Sequence, residues 1–299
     1  MRNLTKLILL LVCLMMAPGA HAQMDSLTAI TRLYGTFDRF AASSDLEQFE
    51  KDVDSLYAEL NAHPNLFIRA QVNNVKGIVH FQQTEMDTAL KYWIISRDQQ
   101  IAYGKKGDMI VQGYGNVSLA YRNMGRHDEA IEECYAALRY ADEHDVPYKL
   151  PIYSRLSSLF GLLKQRDKEL YYLKKEYVES RLRKISINMA SSAANLGDFY
   201  TNRWQEDKVM DESYPDSIIH FGREAWEIAR RDTMMDFMLM GKLHMYFGNF
   251  LKGNYAESRK HGADFEEIIT SLDKLNQTTT MEVYLFYLFA KFQLYSATE

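Results

Sequence analysis

The feature that most constrains this chain is that it repeats itself. The residue opening the second half of each unit is Ala89, Ala130, Glu169, Ser217 or Ser258, at intervals of 41, 39, 48 and 41 residues. Within a unit, Gly77 to Ala89 and Ser118 to Ala130 both span 12 residues. Gly197 to Ser217 spans 20, which places an eight-residue insertion in that unit and brings the long interval back to 40. A period of this length marks stacked supersecondary units, each burying its apolar face against the next. Only five prolines and fifteen glycines occur in 299 residues, so the units read as long helices rather than many short strands. Pro64, Pro147, Pro151 and Pro215 all fall at the proposed helix junctions, where proline is tolerated.

The clearest unit reads Asn116-Val-Ser-Leu-Ala-Tyr121, then Gly125, Asp128-Glu-Ala-Ile131 and Ala137-Leu138. Asn195-Leu-Gly-Asp-Phe-Tyr200 copies its first half, and Gly77-Ile-Val-His-Phe81 with Ala89-Leu90 is a looser copy. Gly253-Asn-Tyr255 and Ser258 match the turn and the start of a second helix. This pattern resembles the tetratricopeptide repeat (TPR). The resemblance covers most of the chain and implies an all-α fold: a right-handed α-solenoid of antiparallel helix pairs, about six of them, plus an unpaired C-terminal helix.

The expected pairs are 26–42 with 46–61, 66–83 with 86–103, 109–124 with 127–143, 149–164 with 167–184, 187–203 with 215–230, and 234–251 with 255–272. The first pair fits the repeat poorly and reads as an N-terminal cap. Core repeats span 63–272, the insertion 203–215 and the orphan helix 279–296. Small residues at 77, 118, 197, 89 and 130 let paired helices approach closely, while Tyr121, Tyr200 and Phe81 supply large apolar area. Glu169 is a poor match for a small slot.

Arg2 and Lys6 precede an apolar run from Leu7 to Met16, followed by Ala20-His-Ala22. This is the pattern of a secretory signal cleaved after Ala22, leaving 23–299 as one elongated domain. The apolar run is too short to span a bilayer. Cys13 is preceded by Val12 rather than the small residue of a lipobox, which argues against lipidation there. Cleavage takes the formal charge from −5 to −7 and leaves Cys134 as the one cysteine, with no intramolecular disulfide. The expected location is the periplasm or another part of the cell envelope. The acidic balance argues against direct nucleic-acid binding.

The search for chemistry finds no catalytic, metal-binding or cofactor-binding constellation. No His pair has the zinc-protease spacing, there is no CxxC, and Gly113-Tyr-Gly115 lacks the third glycine and lysine of a phosphate loop. That pair of glycines marks close helix packing instead. Asp142-Glu-His-Asp145 reads as a solvated polar turn, and Cys134 as a core residue on the inward face of a second helix. The segment Lys164–Lys184 carries a net charge of +4 and reads as an outer helix face with some capacity to attract an anionic partner or surface. Glu206, Asp207, Asp211 and Glu212 give the insertion the opposite sign.

By resemblance, the first helix of each pair lines the concave face, which places Asn74, Asn116, Arg122, Asn123, Arg155, Asn195 and Asn202 in a candidate partner-binding groove. Asparagine can hydrogen-bond an extended peptide as both donor and acceptor, and arginine can fork onto a carboxylate. The lysines of carboxylate-clamp TPRs are missing from the matching positions. The resemblance implies a non-catalytic protein- or peptide-binding scaffold without cofactor.

The segment Met281–Tyr295 is the most apolar after the signal. It is short for a membrane span, and it offers a face for a partner or for self-association. Exported arrays with this period are similar to the periplasmic sensory part of membrane-bound regulators. The alternative reading is therefore such a region, truncated before its output part.

Overall fold

The computed structural model describes residues 20–207, 211–274, 287–288 and 291. The expected signal up to Gly19 and most of the expected last helix lie outside them. Twelve helices and no strand occur among the described residues. They are α1 (Ala20–Ser43), α2 (Leu46–Leu60), α3 (Leu66–Gln82), α4 (Met86–Tyr103), α5 (Asp108–Asn123), α6 (His127–Glu143), α7 (Leu150–Leu162), α8 (Arg166–Arg183), α9 (Ser186–Asp207), α10 (Tyr214–Ala229), α11 (Met235–Leu251) and α12 (Tyr255–Lys274). All six expected pairs form. The largest departure after the first helix is α9, which runs to Asp207, one turn into the expected insertion. The chain divides into two compact units, the first ending at Arg155 and the second beginning at Leu156.

The helices begin and end for local reasons. Asp45 caps α2 by accepting from the Gln48 N–H at 3.0 Å, and Asn65 caps α3 by accepting from the Phe67 N–H at 2.9 Å. Four turns within pairs share one closing motif. The N–H groups of Glu85, Arg126, Gln165 and Asn254 reach back to the carbonyls of His80, Tyr121, Phe160 and Asn249, at 2.9 Å in each case. This closure needs a left-handed residue one position earlier. Gly125 and Gly253 supply it at φ 74° and 71°, and Thr84 and Lys164 adopt it at 63° and 56°.

In the first unit, Leu33 of α1, Phe49 and Val53 of α2, and Ile68, Val72 and Val75 of α3 form one buried cluster. Ala89, Leu90 and Trp93 of α4 pack on Val117 and Ala120 of α5. Gly77 lies flat against the Trp93 ring, where a Cβ would sit 2.4 Å away. Ser118 Oγ donates to the Ala130 carbonyl at 2.8 Å and so latches α5 to α6.

In the second unit, Leu173 packs on Leu196 and Phe199, and Phe265 and Tyr287 stack 4.4 Å apart beside Tyr246. Ser258 Oγ donates to the Tyr246 carbonyl at 2.9 Å, latching α11 to α12. A close backbone approach joins α10 and α11, where a Cβ on Gly241 would lie 2.6 Å from the Gly222 carbonyl.

Two expected small slots are built differently. Glu169 fits because Gly161 faces it: a Cβ at 161 would lie 2.8 Å from its carboxylate, which pairs with Arg166 at 2.7 Å. In the fifth pair Ser217 is only half-buried, and the small-residue contact is made instead by Ala193 and Ala194 with Ala225.

Candidate partner-binding face

In the first unit, α3, α5 and α7 present Asn74, Asn116 and Arg155, 42 and 39 residues apart. Asn116 Nδ2 donates to Asn74 Oδ1 at 2.9 Å, joining the two amides across adjacent first helices. The backbone carbonyl of Asn74 accepts from Trp93 Nε1 at 3.1 Å, which anchors the ladder to the core of its pair. Both asparagines are half-buried. This pairing leaves the Asn74 NH2 to donate and the Asn116 carbonyl to accept, the two functions that an extended backbone presents in return.

Arg155 extends across Gly115 of α5. A Cβ at 115 would lie 3.2 Å from Arg155 Nε, so the missing side chain is what makes room for the guanidinium. Among the described residues no carboxylate acts on the Arg155 side chain, and its Nε is buried without an acceptor. Burial lowers the Arg155 pKa below the usual guanidinium range. The Cys134 thiol opposes this shift, and the like charge of Arg122 adds to it. The residue as a whole is half-buried, and an anion placed beside it would offset the cost of its unbonded Nε.

Beneath the arginine, Cys134 is fully buried with its Sγ 3.1 Å from Ser118 Oγ, and burial pushes its thiol up to about 11. It is a packed core residue rather than a nucleophile.

The remaining sequence-predicted residues are placed differently. Arg122 is half-buried at the end of α5 and is felt electrostatically by Arg155. Asn123 is exposed, and its amide is used locally, donating to the Leu119 carbonyl at 2.8 Å. In the second unit, Asn195 Nδ2 lies 3.4 Å from Glu176 Oε1, and Asn202 is exposed on α9. The structure therefore joins Asn74 to Asn116 and sets Arg155 and Arg122 within each other's field.

Sequence reading missed Arg97. It lies against Gly113, pairs with Glu133 at 2.8 Å and sits 5.0 Å over the Tyr114 ring. Gly113 and Gly115 thus clear space for one arginine each. The doublet was legible as a packing mark, but the identity of its occupants was not. Asp142–Asp145 closes α6: Asp142 pairs with Lys149, and His144 meets the Tyr140 ring edge-on at 4.3 Å. Among the described residues no group of three His, Cys, Asp or Glu side chains is arranged to hold a metal ion. No described helix is long and apolar enough to cross a membrane.

No protein-family model matches the sequence, and no curated protein matches it. Solved structures do match. BtubC (BKLC) from P. vanneervenii is 14% identical with a TM-score of 0.62, covering 79% of this chain and 92% of that one. The Rap conjugation gene regulator of plasmid pLS20, solved in complex with the Phr* peptide, is 17% identical with a TM-score of 0.54, covering 95% and 79%. Aspartyl phosphate phosphatase F from Bacillus subtilis is 15% identical with a TM-score of 0.59; the match covers 80% of this chain and only 59% of that longer protein. With paired helices throughout, these likenesses define the class: an all-α helical-repeat solenoid of the TPR-like type. At such identities they show the fold alone.

Proposed function

We propose that the chain is an exported, non-catalytic scaffold that binds a protein or peptide partner in extended form along the first-helix face of its first unit. The observation that carries this reading is the amide pair of Asn74 and Asn116 beside Arg155, a half-buried arginine whose Nε is buried without an acceptor. The amides suit the repeating N–H and C=O groups of an extended chain, and the arginine suits a carboxylate on the same ligand. Support comes from the fold. Both the Rap regulator of pLS20 and NprR, the latter 13% identical with a TM-score of 0.51, were solved with a peptide bound.

Envelope cross-linking followed by mass spectrometry identifies the partner. Replacing Arg122 and Arg155 by alanine then lowers its recovery about tenfold or more, because a hydrogen bond to a charged group contributes roughly 1.5–3 kcal/mol. Helicity by circular dichroism stays unchanged. Undiminished recovery would remove the groove assignment. Fractionation of the native cell tests the envelope location directly.

A further inference from the structure

A second surface lies on α8 of the second unit. Residues 171, 178 and 182 fall seven and four positions apart and so share one helix face. The side chains there are Tyr171, Val178 and Leu182, exposed to 53%, 56% and 75%. The chain leaves α8 through Lys184 in a left-handed conformation, φ 55°, and then presents Ile185 and Ile187, again about half exposed. Leu182, Ile185 and Ile187 thus form an apolar tip at the turn between α8 and α9, continuous with the stripe along α8.

The charges around this stripe are sorted. Arg166 pairs with Glu169, Arg183 with Glu179, and Arg181 with Glu224 of α10. Lys168, Lys174, Lys175 and Lys184 are exposed, and none has a carboxylate partner among the described residues. Lys175 lies over the ring of Tyr171 in the stripe, at 5.5 Å, and Lys168 over the buried Phe160 ring of α7, at 5.0 Å. Asp167 is the one exposed acid between Lys164 and Ile187.

We propose that this face docks on an anionic lipid surface, with the tip at Leu182, Ile185 and Ile187 entering the headgroup boundary and the four lysines meeting lipid phosphates. Apolar side chains flanked by lysines are the composition of an interfacial helix. A protein partner would more commonly select arginine and exclude lysine from its contact. Yet here the arginines are already engaged and the lysines are not. A second copy docking face to face would set lysines against lysines. The inference does not depend on the groove.

The test is flotation of the purified chain with vesicles of equal parts phosphatidylglycerol and phosphatidylcholine, and with vesicles of phosphatidylcholine alone. The native chain floats with the anionic vesicles, and binding weakens as salt rises. Lys174→Gln/Lys175→Gln lowers the partition coefficient on the order of tenfold or more. Leu182→Ser/Ile187→Ser lowers it as well; both pairs are exposed, so circular dichroism stays native. Comparison with the native chain cancels any contribution from its N-terminal segment. The proposal is overturned if the native chain binds both vesicles equally or neither, or if either variant binds like the native chain. Binding to an acidic protein without binding to lipid overturns it too.

Discussion

The turn position occupied by Thr84, Gly125, Lys164 and Gly253 shows how much one residue can be asked to do. Each takes a positive φ because the same backbone closure follows it, yet only two are glycine. A β-branched threonine in that region is strained, by roughly 1–2 kcal/mol relative to a residue free to adopt it. Thr84→Gly should therefore raise the melting temperature, with a gain near 1 kcal/mol once the extra freedom of glycine in the unfolded chain is deducted. An unchanged or lower Tm would show the turn to be unstrained. The two glycines were legible as turn markers. Thr84 and Lys164 were not, because conformation at a turn is set by hydrogen bonds to residues five positions back rather than by residue type.

Cys134 gives a second test at this scale. Its pKa rises from an ordinary 9.0 to about 11 because burial disfavours the thiolate. The folded chain therefore holds a proton that the unfolded chain releases, and stability from this group falls as pH climbs from about 9 towards 11. At pH 8 a thiol reagent should label the native protein slowly and the unfolded protein fast. Equal rates would contradict the burial.

The elements themselves were the most legible part, since a small residue recurring near every fortieth position fixes where helix pairs meet. What escaped was the detail of who meets whom. Ser217 kept the period, but it is Ala225 that packs with Ala193 and Ala194 of α9. The seven groove residues were placed by a pattern that knows only positions along first helices. It named Asn74 and Asn116, whose amides the fold joins, but it could not show that Asn123 spends its amide on its own helix. Gly241 carries the sharpest element-level prediction. A methyl there would meet the Gly222 carbonyl at 2.6 Å and the Trp226 backbone N at 2.8 Å, neither of which is a flexible side-chain end. Gly241→Ala should lower stability by about 1–3 kcal/mol and speed amide exchange in α10 and α11. Native exchange in those helices would mean the approach is looser than described.

At the scale of the molecule, the two units repeat one device with its parts exchanged. In the first, the hydroxyl sits on the first helix as Ser118 and reaches the Ala130 carbonyl. In the second it sits on the second helix as Ser258 and reaches back to the Tyr246 carbonyl. Both links close over the same separation of 12 residues. A backbone carbonyl is present whatever the side chain, so the acceptor is never lost by mutation; only the donor can wander. A lineage carrying this fold can therefore pass a serine from one helix of a pair to the other through an intermediate holding both, without a step at which the pair is unlinked. Sequence relatives would then differ at the two positions together while the crossing between the helices stayed where it is.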